Sequence, residues 1–241
     1  LALCASARRS PAGHKTHDPF LPAFLLASTA GFFTLPDMFR LAVKDLARRF
    51  GPREVFSRIS FELSTGQSLA VTGPNGSGKT TLLMILLGLL RPTDGSAEFF
   101  VDGARLSESN LRARVAFVAP YLNLYDQLTA EENLKFLTSV AGDAITGKAI
   151  DNSLARVGLQ GRGHDRVGEY SSGMKQRLKY ALALLGNPDF LLLDEPTSGM
   201  DDDGKRLVSE IIEEHRDHSV VVIATNEEQE RSLAHEQCRL D

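Results

Sequence analysis

Gly73-Pro-Asn-Gly-Ser-Gly-Lys-Thr-Thr81, directly after the apolar run Ser68-Leu-Ala-Val-Thr72, fits the spacing G-x-x-x-x-G-K-[ST] at every required position. The spacing has a mechanical reason. Gly73, Gly76 and Gly78 let the backbone curl so that successive N–H groups point at phosphate oxygens, and a helix that follows aims its positive end there. Lys79 adds a point charge for the outer phosphates, and the Thr80 hydroxyl suits Mg²⁺. The whole run, with Pro74, Asn75, Ser77 and Thr81, is expected to wrap a nucleoside triphosphate, with a strand before it and a helix over Leu82 to Leu90 after it. A flexible glycine loop is the bland alternative, and the flanking apolar segments argue against it.

Composition narrows the partners. The 241 residues are 42% hydrophobic, enough for one domain with a sizeable core, and carry 27 basic against 31 acidic residues for a net charge of −4. No basic stripe suited to a nucleic-acid backbone is expected. Cys4 and Cys238 lie near opposite termini without metal-ligand spacing, which suggests a reducing, cytosolic setting. No segment reaches the roughly 18 apolar residues of a membrane-spanning helix. Phe20 to Phe33 comes nearest, interrupted by Pro22 and preceded by Arg8, Arg9 and Lys15 in the manner of a secretory signal. An exported protein would meet no ATP, so residues 1–37 are expected to be an extension outside the fold, upstream of Met38 and from a misassigned start, with a targeting peptide as the alternative.

Folded patterning starts at Met38. Phe39 to Val43 and Val55 to Phe61 alternate as a small antiparallel sheet would. Val115 to Val118, Phe190 to Leu193 and Val220 to Ala224 are apolar on both faces, as buried parallel strands require. Leu207, Val208, Ile211 and Ile212 predict an amphipathic helix over Asp203 to Arg216. Between about 121 and 186 the pattern is helical. Thr129 to Glu132 is a capping box, with Leu134, Leu137 and Ala141 on one face after it, and Ile150, Leu154 and Val157 continue the period to a stop at Gly158. The expected fold is α/β: a phosphate-loop core on a mostly parallel sheet, an N-terminal antiparallel β subdomain and an inserted helical subdomain.

Asp194 and Glu195 follow the apolar run Phe190 to Leu193, at the strand end where ligands of open α/β sheets collect. Asp194 would hold Mg²⁺ and Glu195 would orient or deprotonate the attacking water. Strand-to-loop punctuation is the plain alternative. Tyr170-Ser-Ser-Gly-Met-Lys-Gln-Arg177 puts small residues at the start of a helix whose face carries Met174, Leu178, Ala181, Leu182 and Leu185. Here the chain resembles the ATP-binding cassette family, whose signature loop is similar to Tyr170 to Met174. Asp194 to Asp201 is likewise similar to that family's Walker B and D-loop. The resemblance runs from Met38 to about Leu233.

The resemblance implies an ATPase that dimerises head to tail. Ser171 and Gly173 of one cassette would complete the site formed by Lys79, Thr80, Asp194 and Glu195 of the other, with Asp201 also at the nucleotide. Phe50 matches the aromatic position that stacks on adenine, although an aromatic in a strand is more often core. Two family residues are missing. The glutamine after the strand at Val115 to Val118 falls on Pro120, which has no side-chain amide for the Mg²⁺ contact. The switch histidine falls on Asn226, which keeps a donor but carries no charge. ATP binding is therefore expected to be intact and hydrolysis slower, dependent on Glu195.

The first expectation for function is the ATPase subunit of a bacterial exporter, cytoplasmic and peripheral on the inner face of the cell membrane. It would pair with itself or a closely related cassette and drive an integral membrane permease, with no nucleic-acid partner. The alternatives are the haem-exporter subunit of cytochrome c biogenesis and a soluble cassette ATPase such as one for iron–sulfur assembly. Tyr121, Leu122 and Leu124 fall where such permeases dock, or in the core of the helical subdomain.

Overall fold

The computed structural model describes residues 38–141 and 145–241. Residues 1–37, and the side chain of Ala141 expected beside Leu134, lie outside the described residues. The chain runs β1 (Phe39–Phe50), β2 (Arg53–Ser64), β3 (Ser68–Thr72), α1 (Lys79–Leu86), β4 (Asp94–Val101), β5 (Ala104–Arg105), α2 (Glu108–Arg112) and β6 (Val115–Val118). It continues through α3 (Ala130–Ala141), α4 (Gly147–Arg156), a 3₁₀ turn at Val167–Glu169 and α5 (Ser172–Leu184). The last part is β7 (Phe190–Asp194), α6 (Asp202–Arg216), β8 (Val220–Ala224), α7 (Glu228–Arg231) and β9 (Glu236–Arg239).

Two sheets result. One is parallel, in the order β6-β7-β8-β3-β9, and the other is antiparallel, in the order β2-β1-β4-β5. The doubly apolar runs have a direct structural counterpart. In β7, Phe190 and Leu192 face the antiparallel sheet and α1, while Leu191 and Leu193 face the helical layer. In β8, Val220 and Val222 make the same division against Val221 and Ile223. The contact between sheets centres on Phe190, whose ring meets Phe99 edge-on at 4.8 Å and Phe39 at 5.9 Å.

The helical layer lies between β6 and β7. Its entry is held by the reciprocal capping box: Glu132 accepts from the Thr129 N–H at 2.8 Å, and Thr129 Oγ1 accepts from the Glu132 N–H at 3.2 Å. Gly158 ends α4 in the left-handed conformation, at φ 73°. Asn133 is fully buried and organises the loop before α3. Its Nδ2 donates to the carbonyls of Tyr125, Leu128 and Thr129, and its Oδ1 accepts from the Tyr125 N–H.

Some elements differ from the sequence expectation. The first core helix stops at Leu86 rather than Leu90, because Gly88 turns left-handed at φ 70° and the N–H groups of Leu89 and Leu90 both return to the Met84 carbonyl. β4, β5, β9 and α2 were not expected. β4 is polar at its start (Asp94-Gly-Ser), and β9 (Glu236-Gln-Cys-Arg) is an exposed edge strand without an apolar alternation. Among the described residues no helix is long and apolar enough to cross a membrane.

Asn133→Ala leaves three carbonyls without their shared donor, so the unfolding free energy should fall by about 2–3 kcal/mol in urea titrations. An unchanged midpoint would show that the loop holds without it.

Candidate functional site

The phosphate loop leaves the buried β3 and is shaped by what surrounds it. At Gly73, with φ 144°, a Cβ would lie 2.3 Å from the Leu240 carbonyl oxygen, and at Gly78, with φ 102°, it would lie 2.5 Å from Val55 Cγ1. Neither position admits a side chain. Lys79 is buried, and its Nζ donates to the carbonyls of Gly73 (2.8 Å) and Pro74 (3.3 Å), bracing the loop from inside. The Ser77 hydroxyl is buried without a partner. Gly78, the N-cap of α1, offers no side-chain acceptor to the helix start, so those amide donors suit an external anion.

The end of β7 meets this loop. Thr80 Oγ1 donates to Asp194 Oδ2 at 2.6 Å, and the Tyr121 hydroxyl donates to the same oxygen at 3.2 Å. Burial, and then the negative Asp194 beside it, push the Tyr121 phenol well above its ordinary value, so it stays protonated and donates. Glu195 takes a left-handed φ of 45°, its N–H bonds the Ala224 carbonyl at 2.8 Å, and its side chain is exposed at the cleft. A non-glycine residue held this way is strained, and such strain collects at functional positions.

The donor set fits Mg²⁺. Thr80 and Asp194 supply hard oxygens side by side, and among the described residues there is no cluster of three or more His, Cys, Asp or Glu that could cage a metal. A dication here would draw its remaining ligands from phosphate and water, as Mg²⁺ does.

A cleft of about 480 Å³ opens over the loop and is lined by Phe50, Arg53, Val55, Asn75, Gly76, Gly78, Lys79, Thr80, Thr81 and Glu195. Phe50 is 50% exposed, with the Arg48 guanidinium 4.2 Å from its ring centre. The ring is therefore not core, and the guanidinium covers one of its faces. Asn226 lines the neighbouring cleft and donates from Nδ2 to Asn75 Oδ1 at 2.8 Å, which ties the segment after β8 to the phosphate loop.

Of the expected residues outside that lining, Ser171, Gly173 and Asp201 sit on other parts of the chain. Ser171 and Gly173 sit at the start of α5, where Ser171 Oγ accepts from the Met174 N–H at 3.2 Å. Neither lines the cleft of its own chain. Asp201 caps α6, accepting from the Gly204 N–H at 2.8 Å, and pairs with Arg177 at 3.4 Å. The Gly204 bond foremost, then Arg177, hold its carboxyl below the usual range.

Sequence reasoning missed the place of Tyr121. The sequence expectation sets it at a docking surface or in the helical core, whereas its hydroxyl reaches the acidic end of β7. The signal was its position, one residue after the proline that replaces the glutamine. Pro120 contributes only its carbonyl, which accepts from Lys179 Nζ at 2.5 Å.

A protein-family model described as ABC transporter matches residues 56–198. The chain is 36% identical over 189 residues to the uncharacterized ABC transporter ATP-binding protein YxlF of Bacillus subtilis (strain 168). That match spans 77% of this chain and 62% of YxlF, under two thirds of that relative. It is 33% identical over 186 residues to the lantibiotic transport ATP-binding protein SrtF of Streptococcus pyogenes, spanning 77% of this chain and 79% of SrtF. The structure of the ATP-binding cassette MJ0796 in a dimeric post-hydrolysis state, bound to ADP and Pi, shares the fold with a TM-score of 0.72 at 24% identity, over 83% of this chain and 94% of that one. With phosphate loop, acidic strand end and signature helix in place, the chain belongs to the ABC transporter family.

Proposed function

We propose that residues 38–241 form one cassette, with its inserted helical subdomain at about 121–186, and that it binds and hydrolyses ATP to drive an exporter permease from the inner face of the membrane. One observation carries this reading: Lys79, Thr80 and the exposed Glu195 line one cleft, with the buried Asp194 bonded to Thr80 behind it, while the capped start of α5 at Ser171 faces solvent elsewhere. A second copy supplies what the cleft lacks. Ser171 and Gly173 of one protomer present helix-terminal amides to the phosphates held by the other. The transport role named for SrtF supports an exporter over the haem-export and soluble alternatives.

Within the closed site the loop amides and Lys79 hold the β and γ phosphates and spread their charge. Thr80 and Asp194 would hold Mg²⁺, which would supply charge neutralisation for those phosphates. Glu195 orients the attacking water and takes its proton. Phe50 stacks on the adenine. Asn226, donating through the same amide that now reaches Asn75, can address the γ-phosphate but adds no positive charge, which slows turnover relative to a histidine.

Three experiments test this. Glu195→Gln should lower ATP turnover by about 10²–10⁴-fold with ATP affinity retained, and Asn226→Ala should lower it by at least about tenfold, as loss of one preorganised donor does. Unchanged turnover in Glu195→Gln would remove that residue from the chemistry, and unchanged turnover in Asn226→Ala would end its switch role. Affinity purification from native membranes should recover an integral membrane permease with the chain. Recovery from the soluble fraction alone would contradict the transport role.

A further inference from the structure

Asp194 Oδ2 accepts two hydroxyls from different parts of the chain, Thr80 on α1 and Tyr121 after β6. The second is not an accident of a mobile side chain. Tyr121 is 46% exposed, yet its ring lies 6.3 Å from that of Phe117 and its hydroxyl points inward. The backbone carrying it is fixed from the opposite side. Lys179, buried on α5, donates through Nζ to the carbonyls of Ala119 (3.2 Å) and Pro120 (2.5 Å). A buried ammonium spent on two neutral carbonyls holds that segment in one place, because losing either bond would leave the charge poorly compensated.

We propose that Tyr121 is the positioning residue of the metal site: its phenol orients the Asp194 carboxylate toward the cation and ties that carboxylate, through the segment Ala119 to Tyr121 and Lys179, to the helix that begins at Ser171. The inference rests on the ATPase reading above. It gives this chain a hydroxyl one residue beyond Pro120 where the side chain at 120 offers nothing. Thr80 and Tyr121 both use Oδ2, so the carboxylate is held at one oxygen from two directions and its rotation is stopped. Without the phenol a single hydroxyl holds it. The connection to α5 also means that a change in how Asp194 is held reaches the surface that meets the second protomer.

Tyr121→Phe removes the hydroxyl and keeps the ring against Phe117. The test uses the Glu195→Gln chain with and without this change, with ATP bound, and reads Mn²⁺ affinity by electron paramagnetic resonance, with ATP affinity in EDTA and the thermal midpoint alongside. The expected result is a Mn²⁺ dissociation constant raised about tenfold, the worth of one hydrogen bond to a charged acceptor, with metal-free ATP affinity and midpoint unchanged. Equal Mn²⁺ affinity in the two proteins would overturn the proposal alone and leave the ATPase reading intact. An equal loss of metal-free ATP affinity would make the effect general and overturn it as well. Absence of ATP affinity in Glu195→Gln itself would remove the ATPase reading, and this inference with it.

Discussion

The hydrogen bond from Thr80 to Asp194 is the point on which the site depends. It joins the first turn of α1 to the end of β7, two strands away from β3 across β8 in the parallel sheet. That bond exists only because the sheet is parallel and buried on both faces, so β3 and β7 end at the same edge. Phe190 and Leu192 on one side and Leu191 and Leu193 on the other fix the height at which Asp194 emerges. A shift of one residue in β7 would exchange the two faces and carry the carboxylate away from the loop.

Around this bond the chain braces the cleft with further polar contacts. Asn226 holds Asn75, Lys79 holds the carbonyls of Gly73 and Pro74, and Glu195 waits in a strained backbone conformation. These contacts are polar and partly exposed. Groups that now bond each other can be released to phosphate oxygens at modest cost, because one set of hydrogen bonds replaces another. Glu230 follows the same logic in the next loop, where it accepts from the Thr197 N–H at 2.9 Å and hydroxyl at 2.5 Å and so fixes the turn after Glu195.

Much of this was legible in the sequence, and the reason is physical. Glycines that must adopt positive φ beside a packed neighbour, apolar runs that must face two layers, and a Thr-x-x-Glu capping box leave little freedom in residue type. They read correctly at Gly73 to Thr81, at β6, β7 and β8, and at Thr129 to Glu132. Edge elements carry no such constraint. β9 and the start of β4 are polar and short on pattern, and Gly88 ended a helix that the leucines alone would have continued. Tyr121 was hidden for another reason. Its role depends on the distance between the loop after β6 and the end of β7, which no spacing within one segment encodes. Asp201 illustrates the converse, since its place in a recognisable motif did not reveal that in a single chain it caps α6.

The proposed site shares one nucleotide between the phosphate loop of one protomer and the α5 start of another. The direct measurement is the mass of the Glu195→Gln chain in solution with saturating ATP and Mg²⁺, by light scattering, beside the same chain carrying Ser171→Arg. The expected result is twice the chain mass of 26.3 kDa for the first, and a single chain for the second with ATP still bound. A single-chain mass for both, or a dimer indifferent to the arginine, would contradict it.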